Sequence, residues 1–330
     1  MDIVRLWRDV PHTLRGAALA IGNFDGVHRG HQAVLGEAIR IAKREGRRSG
    51  AVVFDPHPRE FFAPGQPLFY LTPLPLKLEL LEALGLDQTF VIPFAQALAS
   101  LSAEAFATDV IAAGLGASHV VVGHDFSYGK GRTGTTDELA ALGRTLGFGV
   151  DVVSPVGSKD SVFSSSSIRE HLRKGEVREA ADKLGYWWRA CGRVTPGAGR
   201  GKGLGFPTLN FPLTPGQDVH HGIYAMRVHH DGGRSDAAGY VGVRPTFGEE
   251  QPVLEAYLLD FAGDLYGKKV EAEFIAFLRP DQTFATPQAL AEQMRTDSEQ
   301  ARGVLKSIVA DDPMRRFPLG RALARTTETI

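Results

Sequence analysis

Two histidines, His28 and His31, lie three residues apart in the stretch IGNFDGVHRGHQ, which follows an apolar run. Side chains at this spacing project from one side of a helix, close to the free N–H groups at its N-terminus. Each imidazole can donate a hydrogen bond to a phosphoryl oxygen, and Gly26 and Gly30 let the backbone approach an anion. The pattern suits a phosphate-binding turn, but for H-x-x-H alone a capped helix with two surface histidines is the favoured interpretation. A zinc pair is a weaker alternative, because zinc-binding helices place histidines at i and i+4.

A second candidate anion site is the stretch FSSSSIREHL, where Ser164 to Ser167 come just before a helix that carries Arg169 in its first turn. Serine hydroxyls and a guanidinium group are donors suited to a phosphate chain. The plainer alternative is a serine N-cap followed by a solvated arginine. Two anion sites at the ends of two strands of one sheet together favour a single triphosphate site.

A third candidate is the glycine-rich stretch GRGKGLGFPTLNFPL, which contains Gly201, Lys202 and Gly205 ahead of Thr208 and Asn210. Such a loop can fold over phosphates, but a flexible hairpin loop is the commoner structure, and the spacing is not that of a Walker loop. Thr208 and Asn210 lie two residues apart in an extended segment, so both side-chain oxygens emerge on the same face. Hard oxygen ligands of this kind suit Mg²⁺ bound to nucleotide phosphates.

The elements that must position these residues alternate between strand and helix over residues 17–156. Short apolar runs such as GAVVFDP and HVVVGHDF are separated by helical patterns, which predicts a parallel sheet covered on both faces. In the helix HQAVLGEAIRIAKREG, Leu35, Ala38, Ile39 and Ala42 have the spacing of one buried face. Ligands of such sheets bind beyond the carboxyl ends of the strands, where GNFDGVHRGH lies.

The pattern changes near Tyr186, after one predicted helix, SIREHLRKGEVREAADKLG. Short alternating strands broken by glycine and proline follow and predict a β-domain, after which comes a helix, TPQALAEQMRTDSEQARGVLKSI. The last segment has too little apolar content to require structure. We therefore expect domains at residues 1–185 and 186–310 and a flexible tail at residues 311–330.

The composition agrees with two domains, since 330 residues exceed the roughly 150 of one domain. The 37 basic and 38 acidic residues give a net charge of −1, so no overall positive field would hold a nucleic acid or an anionic membrane. The single cysteine, Cys191, excludes an intramolecular disulfide and a cysteine-based zinc site. With neither a signal peptide nor an apolar run of membrane-spanning length, the chain is expected to be a cytoplasmic monomer or weak homo-oligomer.

Taken in order, these motifs resemble a known family. GNFDGVHRGHQ, FDPHPREFF, VVGHDFSYGKGRTG and SSSSIRE are similar to the N-terminal module of the bacterial bifunctional riboflavin kinase/FAD synthetase family, within the H-x-G-H nucleotidyltransferase superfamily. GKGLGFPTLNF, GVRPTFG and LEAYLLDFAGDLYGKKVEAEFIAFLRP resemble its riboflavin kinase module. The resemblance runs from about Ile21 to about Gly303. It implies a Rossmann-like parallel-sheet nucleotidyltransferase domain followed by a small antiparallel β-barrel domain with a C-terminal helix.

For the N-terminal module, the resemblance implies that FMN attacks the α-phosphorus of ATP and that pyrophosphate leaves. His28, His31 and Arg169 match the phosphate-contacting residues and would be catalytic together with Mg²⁺. The implied ATP-binding residues are Gly22, Asn23, Phe24, Gly26, His28, His31, Ser164, Ser165, Ser166 and Arg169, with Ser166 in place of the usual threonine. The implied flavin-binding residues are His57, Pro58, Asp125, Phe126 and Tyr128.

Some of these flavin assignments have alternatives. Phe126 or Tyr128 could cover an isoalloxazine ring, although aromatic residues at strand ends are more often part of the core. Asp125 stands where some relatives carry asparagine, and an acid beside the FMN phosphate would repel it unless turned away.

For the C-terminal module, the resemblance makes Thr208 and Asn210 ligands of Mg²⁺-ATP and Glu255 the general base that takes the proton of the ribityl hydroxyl. A solvated edge-strand charge paired with a lysine is the alternative for Glu255. The remaining implied contacts are Gly201, Lys202 and Gly205 with ATP and Arg279 with flavin, a surface arginine being as plausible for Arg279. Tyr240 stands where relatives often carry asparagine, so the flavin pocket is expected to differ in shape from theirs.

The predicted function is flavin cofactor synthesis. Riboflavin would be phosphorylated to FMN and FMN adenylylated to FAD, both with Mg²⁺-ATP, so that the partners are riboflavin, FMN, FAD and ATP, without a nucleic acid or a membrane. Two alternatives stay open: a nucleotidyltransferase with another phosphate acceptor, and a flavin-binding or regulatory protein without catalysis.

Overall fold

The computed structural model describes residues 1–158, 161–197, 203, 205–231, 233–246 and 249–328. It divides into two compact units. The first unit comprises Met1–Pro67 and Thr72–Ser164, and the second comprises Leu68–Leu71 and Ser165–Ile330. Among the described residues, no helix is both long and apolar enough to cross a membrane.

The first unit is built on a six-stranded parallel sheet. Its strands are β1 (Asp2–Val4), β2 (Ala18–Ile21), β3 (Ser49–Asp55), β4 (Gln88–Pro93), β5 (His119–Gly123) and β6 (Gly149–Val153). The spatial order is β1-β4-β3-β2-β5-β6, so the chain reverses direction across the sheet between β2 and β5. Ligands of doubly wound sheets bind at such a switch point. The predicted parallel sheet is confirmed, and β1 is an additional edge strand.

Helices cover this sheet. They are α1 (Arg29–Glu45), α2 (Pro58–Phe62), α3 (Leu74–Ala83), α4 (Gln96–Ala99), α5 (Ala103–Ala105), a π-helix (Phe106–Leu115) and α6 (Thr136–Leu146), with 3-10 turns at His12–Leu14 and Lys130–Arg132. A small hairpin of β7 (Gly157–Ser158) and β8 (Ser161–Val162) ends the unit. The buried face of α1 contains Leu35, Ala38 and Ala42 as predicted, but Ile41 is buried there and Ile39 only half-buried.

The second unit contains a six-stranded antiparallel sheet of order β10-β13-β12-β11-β14-β9. Its strands are β9 (Arg189–Arg193), β10 (Thr208–Pro212), β11 (Gly222–His230), β12 (Gly233–Thr246), β13 (Glu249–Leu258) and β14 (Lys269–Arg279). Beyond β9, the backbone N–H of Thr195 donates to the Asn210 carbonyl of β10 at 2.7 Å. The two edges of the sheet therefore meet, which confirms the predicted small antiparallel barrel.

The helical segments with described bounds that accompany the barrel are α7 (Ser165–Arg173), α8 (Val177–Leu184), α9 (Pro287–Ala310), a 3-10 turn (Pro313–Arg316) and α10 (Pro318–Glu328). The predicted helix over residues 167–185 is in fact two, because Gly175 adopts a left-handed φ of 75° between them. Helices α7 and α8 also belong to the second unit, so the units divide after Ser164 and not at residue 185. Ala181 of α8 packs in one apolar cluster with Trp187 and Ile275 of the barrel.

The expected flexible tail is wrong for residues 313–328, which form the last two helical segments. Met314 and Phe317 are buried in the same apolar cluster as Trp187. Asp312 caps the 3-10 turn and accepts hydrogen bonds from Trp187 Nε1 at 3.1 Å and Arg227 Nη1 at 3.0 Å. A few buried apolar side chains and the hydrogen bonds of the partly buried Asp312 therefore order a segment of low apolar content.

A short piece from the middle of the first unit's sequence, Leu68–Leu71, folds with the second unit. Trp188 Nε1 donates to the Leu71 carbonyl at 2.9 Å, and Gln217 Nε2 donates to the Tyr70 carbonyl at 3.0 Å. These hydrogen bonds give buried side-chain donors of the second unit their acceptors.

Candidate active sites

The turn between β2 and α1 is held in an unusual conformation. Phe24 and Val27 have φ values of 47° and 39°, in the left-handed region that non-glycine residues rarely adopt and that strains a β-branched residue most. Both side chains are buried, and Gly26 N donates to Thr72 Oγ1 at 2.8 Å. Thr72 N in turn donates to Asp25 Oδ1 at 3.0 Å. Packing and hydrogen bonds thus fix the backbone that leads into the two histidines.

His28 and His31 lie together at the N-terminus of α1, as their spacing predicts. His28 is the N-cap residue, and its Nδ1 accepts a hydrogen bond from His31 N at 3.3 Å. The two rings stack with centroids 3.6 Å apart. Because Nδ1 of His28 is an acceptor, the proton of its neutral ring is on Nε2. Burial, then His28 and then Lys77 hold the pKa of His31 well below its ordinary value, so His31 is neutral at pH 7.

Lys77 is a residue of this site that the sequence reasoning missed. Its side chain is 4% exposed, and its Nζ donates to the carbonyl of Asn23 at 2.7 Å. Burial lowers the pKa of Lys77, whereas Asp25 and Asp55 favour its charged form. One lysine among the buried leucines of α3 was the available sign, since lysine is rarely buried without a partner.

The serine-rich segment divides between the two units. Phe163 belongs to the first unit, where the guanidinium group of Arg29 lies 4.4 Å from its ring, so Ser164 follows a residue packed at the start of α1. Ser165 and Ser166 begin α7 in the second unit. Arg169 of α7 donates from Nε to the Phe69 carbonyl at 2.6 Å, which orients its guanidinium group. That Ser165, Ser166 and Arg169 contact the same phosphates as the histidines stays a prediction.

The predicted flavin residues of the first unit are not equivalent. Tyr128 is 5% exposed and lies in the hydrophobic core, where burial and, less, Glu138 raise its pKa to about 12. Its burial favours the core role given as the alternative to the flavin contact, and Phe126 stacks on it with ring centroids 5.6 Å apart. The side chain of Asp125 is 83% exposed.

The His57–Pro58 segment lies beside aromatic residues that the sequence reasoning did not select. His57 is the N-cap of α2 and accepts a hydrogen bond from Arg59 N at 3.1 Å, and Pro58 is the first residue of that helix. Phe62, at the end of α2, is 67% exposed and contacts Phe94 edge-to-face at 5.8 Å. A large exposed aromatic ring beside a strand end is a suitable platform for a planar ligand.

In the second unit, strand register brings Asn210, Glu255 and Tyr240 together. Asn210 of β10 pairs with Glu255 of β13, and Glu255 pairs with Tyr240 of β12. Directly opposed residues of antiparallel strands project to the same face, so these three side chains are neighbours. Thr208, two residues before Asn210, lies on that face and lines a cavity of about 120 Å³ with Phe261, Asp264 and Tyr266 among its walls.

The amide of Asn210 is closely confined. Its Nδ2 donates to the Thr208 carbonyl at 3.1 Å, and the residue is buried. A Cβ added at Gly197 would lie 2.4 Å from Asn210 Nδ2, so the chain passes directly over this side chain. Gly205 is described and has a φ of 86°, whereas Gly201 and Lys202 lie outside the described residues.

The donor set of this face fits Mg²⁺ in part. The described residues contain no cluster of three or more His, Cys, Asp or Glu side chains that could hold a metal ion. Thr208, Asn210 and Glu255 nevertheless place hydroxyl, amide and carboxylate oxygens on one face. Mg²⁺ takes such oxygens together with substrate phosphates and water, and does not require a cage made of protein alone.

Arg279 has a structural role in the second unit. Its guanidinium group pairs with Asp297 of α9 through Nε at 2.8 Å and Nη2 at 2.7 Å, and Nη1 donates to the Pro280 carbonyl at 2.9 Å. Asp297 is buried, so the pair anchors α9 to the end of β14. These contacts favour an anchoring role over the predicted flavin contact.

The comparisons with known proteins agree with the two units. The family model for FAD synthetase matches residues 10–167, and that for riboflavin kinase matches residues 184–305. A bifunctional riboflavin kinase/FMN adenylyltransferase of Pseudomonas fluorescens is 37% identical over 92% of this chain and 98% of its own length. The protein of the same name from Listeria monocytogenes is 35% identical over 90% of this chain and 93% of its own length.

A solved structure extends the similarity to the fold. The crystal structure of a Streptococcus pneumoniae protein described as a macrolide-efflux protein has a TM-score of 0.81, with 26% identity over 91% of this chain and 98% of that one. Both family models match in the expected order, and the curated relatives are similar over nearly their whole length. The chain therefore belongs to the bifunctional riboflavin kinase/FMN adenylyltransferase family.

Proposed function

We propose that the chain makes both flavin cofactors, phosphorylating riboflavin to FMN on the face of Thr208, Asn210 and Glu255, and adenylylating FMN to FAD at the turn of His28 and His31. The observation that carries this proposal is the presence of two separate phosphate-type constellations, one in each unit. The family membership and the activities named for the curated relatives support it.

For adenylyl transfer, an oxygen of the FMN phosphate attacks the α-phosphorus of ATP, and the bond to pyrophosphate breaks. His28 and His31 donate hydrogen bonds to phosphoryl oxygens, next to the free N–H groups of the first turn of α1. No covalent intermediate is required, so the residues act by positioning and by stabilising the charge that develops on pyrophosphate.

For riboflavin phosphorylation, Glu255 accepts the proton of the ribityl hydroxyl as that oxygen attacks the γ-phosphorus of ATP, and ADP leaves. Its place between Asn210 and Tyr240 puts the carboxylate on the same face as the proposed metal ligands. Thr208 and Asn210 would hold Mg²⁺, which neutralises charge on the β- and γ-phosphates when bound.

The flavin ring of FMN is proposed to lie against Phe62 and the His57–Pro58 segment, since Phe62 is the exposed member of that aromatic group. We further propose that the enzyme acts in the cytoplasm on riboflavin, FMN and ATP, as a monomer or weak homo-oligomer. The nearly balanced charge supports the absence of a nucleic-acid partner.

The test is a chromatographic time course with purified protein, riboflavin, ATP and Mg²⁺, in which FMN should rise first and FAD should follow. Glu255→Gln should stop FMN formation but leave added FMN convertible to FAD, and His28→Ala should do the reverse. If either substitution abolishes both activities in folded protein, the assignment of one reaction to each constellation is wrong. If FMN is not consumed by the wild type, another acceptor is indicated, and flavin binding without ATP consumption would indicate a binding protein.

A further inference from the structure

Lys77 is a buried cation under the phosphate-binding turn. It comes from α3, far along the chain from the turn, and its ammonium group donates to the carbonyl of Asn23 at 2.7 Å. That carbonyl belongs to the Gly22–Val27 segment, whose backbone leads directly to the N-cap histidine. A shift of Asn23 would therefore be passed along a short, strained stretch to His28.

The charge of Lys77 is not neutralised by a close carboxylate. Among the described residues, its ammonium group has no carboxylate oxygen within the 4.0 Å of a salt bridge, and its hydrogen-bond acceptor is a neutral carbonyl. Asp25 and Asp55 act on it only from beyond that distance, although they favour its charged form. Burying a cation in this way is unfavourable unless a nearby anion compensates for it. His31 offers little positive charge of its own, because its pKa is lowered well below its ordinary value by burial, His28 and Lys77.

Two further polar atoms of the same turn are buried without a hydrogen-bond partner among the described residues: Asn23 Oδ1 and His31 Nδ1. Buried polar atoms are rarely left unpaired, and exceptions mark places where a ligand completes the structure. Here they accompany a cation that no carboxylate pairs with. A polar anion with several hydrogen-bonding groups, such as the phosphate chain and ribose of ATP, would complete all three.

We infer that Lys77 is a positioning residue for adenylyl transfer, which fixes the Asn23 carbonyl and gives the turn the positive charge that draws the ATP phosphates into it. The inference rests on the proposed function of this turn. It assigns the charge requirement of the site to α3, a helix outside the motifs that identify the family.

Three substitutions separate the charge of Lys77 from its hydrogen bond and its volume. Lys77→Met removes both interactions, Lys77→Gln can keep a donor without charge, and Lys77→Arg keeps the charge. We expect kcat/KM for ATP in FMN adenylylation to fall about 10- to 100-fold in Lys77→Met, the range for a lost charge-assisted hydrogen bond. In Lys77→Gln, kcat/KM for ATP should fall nearly as far, whereas Lys77→Arg should keep most of the wild-type activity. In all three variants KM for FMN should change less than about twofold.

Riboflavin phosphorylation in the same preparations is the internal control, because Thr208, Asn210 and Glu255 are in the other unit. Unchanged phosphorylation with reduced adenylylation supports the inference. Wild-type rates of adenylylation in Lys77→Met, or recovery by Lys77→Gln as complete as by Lys77→Arg, would overturn it. If Lys77→Met does not fold, the comparison of Gln with Arg decides between the same outcomes. Failure of the wild type to convert FMN would instead refute the proposed function of the turn.

Discussion

The two candidate sites differ in how the chain brings their residues together. His28 and His31 are neighbours because they share one turn of α1, and the preceding turn is continuous with them. Asn210 and Glu255 are far apart in sequence and meet only because β10 pairs with β13 in one register. The histidine pair itself needs one turn and one helix, with Thr72 and Lys77 supporting the turn from elsewhere in the chain. A sheet site needs several strands paired without slippage, since a slip of one residue turns every side chain to the other face. The first site should therefore tolerate loosening of the fold better than the second.

The largest expected effect comes from loosening the strands behind the sheet site. Glu273 of β14 accepts hydrogen bonds from Arg189 of β9 at 2.7 and 3.1 Å and lies 3.8 Å from Arg227 of β11, so it joins three strands. Glu273→Gln removes the carboxylate that Arg189 and Arg227 share, although Glu271 still pairs with Arg189 and Asp312 with Arg227. The substitution should therefore lower the free energy of unfolding of the second unit by about 3 kcal/mol, the lower end of the range for a broken buried ion pair. Urea denaturation followed by tryptophan fluorescence measures this. Asp260→Asn, which breaks an exposed pair with Arg302, is the control and should have much less effect.

The same pair predicts a dependence on pH. Burial would raise the pKa of Glu273, but Arg189, His229 and Arg227 hold it well below its ordinary value of 4.5. A carboxyl whose pKa is lower in the folded state stabilises the fold above the unfolded pKa and loses this contribution as the pH falls towards the folded value. Stability should therefore decline as the pH falls below about 4.5, and less steeply in Glu273→Gln. An equally steep decline in the variant would show that other acids are responsible.

The next largest effect is expected from adding a single methyl group beside Asn210 of the sheet site. Gly197→Ala places a Cβ 2.4 Å from Asn210 Nδ2, which must displace the confined amide. We expect riboflavin phosphorylation to fall about 100-fold, the scale for a misplacement of about 1 Å in an active site. Gly303→Ala in α9 is the matched control, because a Cβ at Gly303 meets no atom within 4 Å and the residue is exposed. Equal activity of the two variants would remove Asn210 from the kinase site.

A smaller effect is expected from a glycine-to-alanine substitution at the site of His28 and His31. A Cβ at Gly30 would lie 3.1 Å from two atoms of the His28 ring, so the ring must move by a few tenths of an ångström. Gly30→Ala should lower FMN adenylylation about 10-fold and leave riboflavin phosphorylation unchanged. A loss larger than that of Gly197→Ala would reverse the proposed order of tolerance between the sites.

The smallest effect is expected one and a half turns further along α1. Gly36 is exposed in the helix, and a Cβ there meets no atom within 4 Å. Gly36→Ala should raise the free energy of unfolding of the first unit by about 0.5–1 kcal/mol, because alanine loses less conformational freedom in a helix. Thermal unfolding checks this, with both activities expected at wild-type values. A change in adenylylation would show that the turn responds to the whole helix.

Sequence patterns predicted best what depends on local periodicity. Alternating strands and helices predicted the parallel sheet, period-two strands predicted the barrel, and the spacing of His28 and His31 placed both rings at one helix end. The sequence also placed Thr208 and Asn210 on one face. Each of these follows from the geometry of one element or of neighbouring elements.

The features that the sequence did not predict depend on contacts between distant elements. Tyr128 is core because Phe106 of the π-helix packs against it, and Lys77 joins the turn because α3 packs below it. Arg279 donates a hydrogen bond to Asp297, which lies on α9, and Phe317 packs in the same apolar cluster as Trp187. The periodicity of a single segment does not show which side chains from other elements will contact it. Those partners are known only from the tertiary structure.

Leu68–Leu71 belong to the second unit, and this affects how the chain can be cut into fragments. The second unit consists of two separate stretches of sequence, and the shorter stretch lies within the sequence of the first unit. An excised fragment starting at Ser165 would lack the carbonyl acceptors of Trp188 and Gln217, and a fragment ending at Ser164 would carry four residues whose partners are elsewhere. A single cut after Ser164 therefore removes both carbonyl acceptors from the second unit, whereas point substitutions leave them in place.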